Sequence, residues 1–166
     1  MTAKYEHIAT VTLDSPASSV IFSSIPQGYR DLELVINAGN DGNTFGGLRY
    51  NSDSGTNYSY ILARGDGNNT APGSSTSLNY AVALGVSIGS GGTLDQQAIV
   101  SIQDYSATDK HKTSVSRAND ASQSAEMMAA RWANTNAITS IEFFTFGASS
   151  AIAGSTFDLY GIVGGA

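Results

Sequence analysis

Apolar side chains recur at every second position through most of the chain, the rhythm of β-strands that bury one face. Tyr5–Leu13 reads as such a run and is closed by the turn sequence Asp14-Ser15-Pro16. Ser18–Ile25 and Asp31–Ala38 follow, separated by a segment that Pro26 and Gly28 interrupt. The runs 46–53 and 56–65 flank the polar stretch around Ser54-Gly55. Gln97–Tyr105, Lys112–Ala118, Ala137–Phe146 and Ser155–Val163 complete the series. The longest run has Leu78, Tyr80, Val82, Leu84, Val86 and Ile88 alternating without a break. As one strand it would extend about 37 Å at 3.4 Å per residue, which predicts a central position or a bend near Gly85. The glycine-rich segments 37–47 and 64–75 read as loops.

Residues 119–134 read two ways. Asp120 and Gln123 have the spacing of a helix capping box. Met128, Ala130 and Trp132, by contrast, alternate with smaller or polar neighbours and lead into an Asn-Thr-Asn turn. A strand over 126–134 is the expectation. About ten strands with turns every 8–15 residues favour an all-β sandwich or barrel over βαβ units. At 166 residues, 1–166 is expected to be a single antiparallel domain.

Composition sharpens this picture. Only 13% of residues are charged, with Gly, Ser, Thr and Asn in their place, which suits strands and turns better than helices. A net charge of −6 without a basic cluster argues against nucleic acid as a partner. No apolar run approaches the ~20 residues of a membrane-spanning helix, and the N-terminus lacks the apolar centre of a signal peptide. Synthesis in the cytoplasm without export is therefore expected. There is no cysteine, so disulfides and thiolate metal sites are excluded.

Gly85-Val86-Ser87-Ile88-Gly89 has the spacing of a hydrolase nucleophile elbow, which needs a strand ending at the serine and a helix starting after it. Alternation instead continues through Ser87, and the following Gly-Ser-Gly-Gly cannot nucleate a helix. Of the two histidines, His7 and His111, only the second follows the serine, and it lies in a solvated Asp-Lys-His-Lys cluster. Ser87 is expected to face away from the core, and no catalytic residue is assigned. Asp41, Asn43, Asp66 and Asn68 are oxygen ligands of the kind calcium takes. Leu48 stands where a calcium loop would want a bidentate Glu, and Asp-Gly and Asn-Gly are turn formers. No metal or cofactor is expected. Arg64-Gly65-Asp66 matches an integrin-type tripeptide and equally an Arg before a turn. Tyr50, Tyr58 and Tyr60 are candidates for exposed rings that stack on sugars, or for covers of the core edge.

Several segments together resemble a group of tailed-bacteriophage virion proteins. They are Tyr5-Glu6-x-Ile8-Ala9, Ile25-Pro26-x-x-Tyr29-x-Asp31-Leu32, and the close Gly154-Ser155-x-Phe157-x-Leu159-Tyr160-Gly161-Ile162. Asn51-x-Asp53-x-x-x-Asn57-Tyr58 is similar to a further segment of that group. The resemblance implies a jelly-roll-like fold, no enzymatic activity and a virion role; one compact acidic domain with no coiled-coil heptads or fibre shaft fits a capsid decoration (cement) protein on the outer surface of the virion. The resemblance also implies the major capsid protein as partner and a homotrimer as the assembled form. The alternative it leaves is a tail-fibre or receptor-binding component that recognises host glycans.

Overall fold

The computed structural model describes residues 4–42, 44–88, 93–120 and 124–164. Twelve strands and no helix form among them: β1 Lys4–Thr12, β2 Ser19–Phe22, β3 Asp31–Ala38, β4 Thr44–Tyr50, β5 Tyr58–Gly65, β6 Thr70–Leu78, β7 Ala81–Ile88, β8 Gln96–Gln103, β9 Lys112–Asp120, β10 Ser124–Trp132, β11 Ile141–Thr145 and β12 Thr156–Val163. Eight make one antiparallel sheet in the order β1-β12-β3-β8-β9-β10-β5-β6, and four make a second in the order β2-β11-β4-β7. Outside the β5–β6 hairpin and the β8–β9–β10 meander, each connection from β2 onward carries the chain from one sheet to the other. The result is an antiparallel, jelly-roll-like β-sandwich, as the alternation and the resemblance led one to expect.

The core lies between the sheets. Leu32, Leu34 and Ile36 of β3, Val100 and Ile102 of β8, and Phe157 and Leu159 of β12 are buried against Val20, Phe22, Leu48, Ile141 and Phe143 of the small sheet. The rings of Phe143 and Phe157 meet across the layers with centroids 4.9 Å apart. β7 lies close over β9 and β10, where the small Ser114, Ser116, Ala118 and Ala130 share the inward face with Lys112, Glu126, Met128 and Trp132. Small side chains there let the layers approach more closely than the ~10 Å usual between packed sheets.

Two of the segments quoted above, 25–32 and 154–162, meet in this framework. A Cβ on Gly161 would fall 2.3 Å from the Tyr29 ring, so the glycine is the seat on which the Ile25–Tyr29 segment docks against β12. Tyr105 secures the same segment by donating its hydroxyl to the Pro26 carbonyl. Gly154 takes a φ of 87°, which favours glycine. It turns the chain so that the buried Ser155 hydroxyl accepts the Gly39 N–H. These residues close the sandwich.

The structure corrects several expectations. The run 78–88 is not one strand: β6 ends at Leu78, residues 79–80 turn, and β7 begins at Ala81 in the other sheet. Ser77, at a φ of 57°, helps to make the corner. Alternation survives because both strands bury one face, and the burying sheet simply changes. β7 is an edge strand and not the central one expected, and its register against β4 shifts between Leu84 and Ile88, around Gly85. The segment 64–75 is likewise not a loop throughout, since Thr70–Leu78 forms the edge strand β6. Its polar composition, Pro72 and Gly73 suit an edge that should not pair further. Residues 124–132 are strand and not helix, beginning two residues before the expected start.

Candidate functional site

None of the motifs with a chemical reading assembles into a reactive centre among the described residues. The backbone of β7 continues through Ser87 to Ile88 and pairs with β4, so the strand-to-helix elbow that a nucleophile needs is not formed. The direction of the Ser87 side chain, like Asn43, lies outside the described residues. His111 is exposed, and its Nδ1 lies 2.6 Å from Nη2 of Arg131. Asp66 accepts the Asn68 and Asn69 N–H groups at 3.0 and 2.7 Å, and Gly67 takes a φ of 85°. Those backbone bonds, the Asn69 one foremost, hold the Asp66 carboxyl below its ordinary range. Asp41 accepts the Ser150 N–H at 2.7 Å and pins one loop to another. Both aspartates therefore work in turns. Arg64 of the Arg-Gly-Asp tripeptide points inward, its Nε 3.6 Å from Oε1 of Glu126.

The tyrosines divide. Tyr50 and Tyr58 are buried and not exposed as a sugar platform would need; Tyr60 is half-buried. Trp132 stacks on Tyr58 at 6.2 Å and tilts against Tyr50 at 5.6 Å. Burial pushes the Tyr50 hydroxyl up to about 12. The Asn51-x-Asp53-x-x-x-Asn57-Tyr58 segment closes over this cluster. Asp53 accepts the Trp132 indole N–H at 2.7 Å, the Asn57 amide at 2.9 Å and the Gly55 N–H at 2.8 Å. Burial alone would raise the Asp53 carboxyl, but these donors, with Asn134, hold it below its ordinary range. Asn51 accepts from the N–H groups of Thr139 and Ser140 and donates to the Ala137 carbonyl. Asp53→Ala would strand the indole donor and free the 53–57 turn. A loss of about 2 kcal/mol in urea unfolding is expected, with Asp53→Asn retaining much of the stability.

Lys112 is buried beside this cluster, donating from Nζ to the carbonyls of Lys110 and Thr135 at 3.0 and 3.1 Å. Desolvation lowers its pKa from the usual lysine value, and the two carbonyls fix the loops at this end.

The surface feature that stands out is the outer face of the large sheet. Solvated sheet faces normally alternate to polar residues. Here Ile61 is 64% exposed, Met127 62% and Val115 43%. Pairing places them together: Ile61 lies opposite Ala129, Ala129 opposite Val115, and Met127 between Ala63 and Arg117. A shallow depression is lined by Ile61, Ala63, Val115, Met127 and Ala129. Ser59, Thr113 and Arg131 border this centre on one side, and Gly65, Ala125 and Asn119 on the other. An apolar centre inside a mostly polar border is the anatomy of an association surface. Alternation as such did not reveal it. Tyr60-Ile61-Leu62 and Met127-Met128, where apolar residues occupy both faces in succession, carried the signal.

On the outer face of the small sheet, Tyr80, Phe144 and Phe146 pack edge to face with centroids 4.6–6.0 Å apart. The Arg49 guanidinium sits 4.1 Å from the Phe144 ring centre and pairs with Glu142 at 3.5 Å. This half-buried cluster is largely satisfied within the chain.

No family model and no curated protein matches this chain. Among solved structures it is similar to an aerolysin-like protein of Bombina maxima at 10% identity, over 89% of this chain and 100% of that one, with a TM-score of 0.14. A superposition that loose bears on neither fold nor function.

Proposed function

We propose that this chain is a bacteriophage virion structural protein, a decoration protein that binds the outside of the capsid and reinforces it. Its work is association and not turnover. The observation that carries this reading is the outer face of the large sheet, an apolar, acid-free centre on a domain whose other exposed positions are mostly Ser, Thr, Asn and Gly. The segments that resemble the phage proteins support it by their positions, since they form the joints that close the sandwich. Burial contributes about 25 cal/mol per Å² before ordering terms, so many weakly held copies reinforce a shell collectively.

Purified protein is expected to add to expanded capsids at a fixed copy number and to raise the temperature at which they release DNA. Failure to bind shells at any stage of maturation would end this reading. The Tyr80–Phe144–Phe146 cluster favours one alternative, since aromatic faces suit sugar rings. Selective binding on a glycan array, with none to capsids, would move the protein to a tail adhesin.

A further inference from the structure

We propose that the outer face of the large sheet is covered by the same face of a second copy, related by a two-fold axis running along the strands between β8 and β9. This rests on reading that face as an association surface and names its occupant as a second copy, so that contact with a shell falls to the loop end of the pair.

The pairing registers lay the outward residues of the sheet in rows. One row runs Ile61, Ala129, Val115, Ser101, Glu33, Tyr160, and the next runs Ala63, Met127, Arg117, Ile99, Val35, Asp158. Arg131, Thr113, Gln103 and Asp31 lie in a flanking row. The face therefore has two unlike halves. On β6, β5, β10 and β9 the outward residues include Arg117 and Arg131 and no acid, although the whole chain carries 14 acidic residues against 8 basic. Neither arginine has a carboxylate partner among the described residues. On β3 and β12 the outward residues include Asp31, already paired with Arg30 at 2.7 Å, and Glu33 and Asp158, which have no cationic partner among the described residues.

A two-fold axis at the β8–β9 boundary sets β9 of one copy over β8 of the other, β10 over β3, and β5 over β12. Arg131 then faces Asp31, Met127 faces Val35, and Ile61 faces Tyr160, each contact made twice. Arg117 covers Ile99, with Glu33 one strand and one row away, within reach of a long side chain. Apolar meets apolar and cation meets anion in one operation, the self-complementarity an isologous interface demands. Eight strands at about 4.8 Å spacing and four rows at about 6.8 Å give roughly 1,000 Å² per copy before twist trims the corners, against about 800 Å² per partner in a standard stable interface. Because both halves lie on one sheet face, a two-fold satisfies them together; the three-fold ring of the homotrimer that the resemblance implies leaves part of the face uncovered, and the pair departs from that assembly. The axis runs along the strands, so both copies turn the same loop end in one direction and present a bivalent surface to whatever lies there.

Light scattering and sedimentation equilibrium on the isolated protein test this without any capsid. A mass of twice the chain is expected. Met127→Lys and Arg131→Glu, both at exposed positions, are each expected to weaken the pair at least tenfold while the far-UV spectrum and melting of the monomer hold. Adding Asp31→Lys to Arg131→Glu is expected to recover part of the loss. A monomer at 100-fold dilution below and above ~10 µM, a trimeric mass, or a dimer indifferent to both single variants would overturn the proposal. A monomer that still binds capsids leaves the proposed function standing and removes the pair. A dimer that binds none does the reverse.

Discussion

Glu126→Gln is expected to stabilise the protein at pH 8 by about 3 kcal/mol and to change little at pH 4. Glu126 sits on the inner face of β10 with its side chain 1% exposed. Its inward neighbours across the sheet are Ala118 and Arg64. Arg64 Nε lies 3.6 Å from Oε1, and neither carboxylate oxygen has a hydrogen-bond partner among the described residues. β7 covers this region, and its sequence Ala81–Ile88 contains no titratable residue. Burial therefore dominates over Arg64 and pushes the carboxyl from 4.5 up to about 7. A carboxyl raised on folding binds its proton more tightly in the native state. The favourable contribution is complete below about pH 4.5 and is lost as pH rises through about 7. At about 1.4 kcal/mol per pKa unit the swing is about 3 kcal/mol. Glutamine keeps the shape and never ionises, so the difference between variant and parent grows across that window. Urea unfolding at pH 4, 6 and 8 measures it, and parallel profiles for the two proteins would show that Glu126 is not desolvated in solution.

The second large effect concerns the joint between the Ile25–Tyr29 segment and the last strand. Gly161→Ala places a methyl 2.3–2.5 Å from Cγ, Cδ1 and Cδ2 of Tyr29. These atoms are at the root of the ring, so a small rotation cannot clear them. Tyr29 packs against the core, and the neighbouring Arg30 N–H is tied to the Ile162 carbonyl at 2.9 Å, so the whole segment must lift. A loss of about 3 kcal/mol is expected, near the upper end for overpacking. Tyr29→Ala removes the obstacle. In the double variant the penalty at Gly161 should shrink by more than 1 kcal/mol, a coupling that thermal or urea unfolding of the four proteins resolves. Additive losses would mean that the glycine serves chain conformation alone.

These two sites show how unevenly the fold was legible. The run Asp31–Ala38 was read to the residue, because its alternation is complete and both ends are punctuated. Gly161 stood in a recognisable closing segment, yet nothing nearby in sequence announces Tyr29, more than 130 residues away, as its partner. Glu126 shares its parity with Met128, Ala130 and Trp132, so alternation by itself turns it inward. Burying a carboxylate without a hydrogen bond is unfavourable, and no local pattern announces that Arg64 is its neighbour across the sheet. Tyr50 and Tyr58 looked available because their strand positions did not reveal that Trp132 and Asp53, from other parts of the chain, close over them.

By itself the sequence determined that the chain is strands and turns and that it buries one side of nearly every strand. The tertiary structure decided which sheet each strand joins, that the apparent strand 78–88 is two strands in different sheets, and that Ile61, Met127 and Val115 form one patch. The division has a physical cause. Alternation is enforced locally, by a pleat that sends successive side chains to opposite faces. Sheet membership and surface patches depend on registers between segments far apart in the chain, which settle only when whole layers pack.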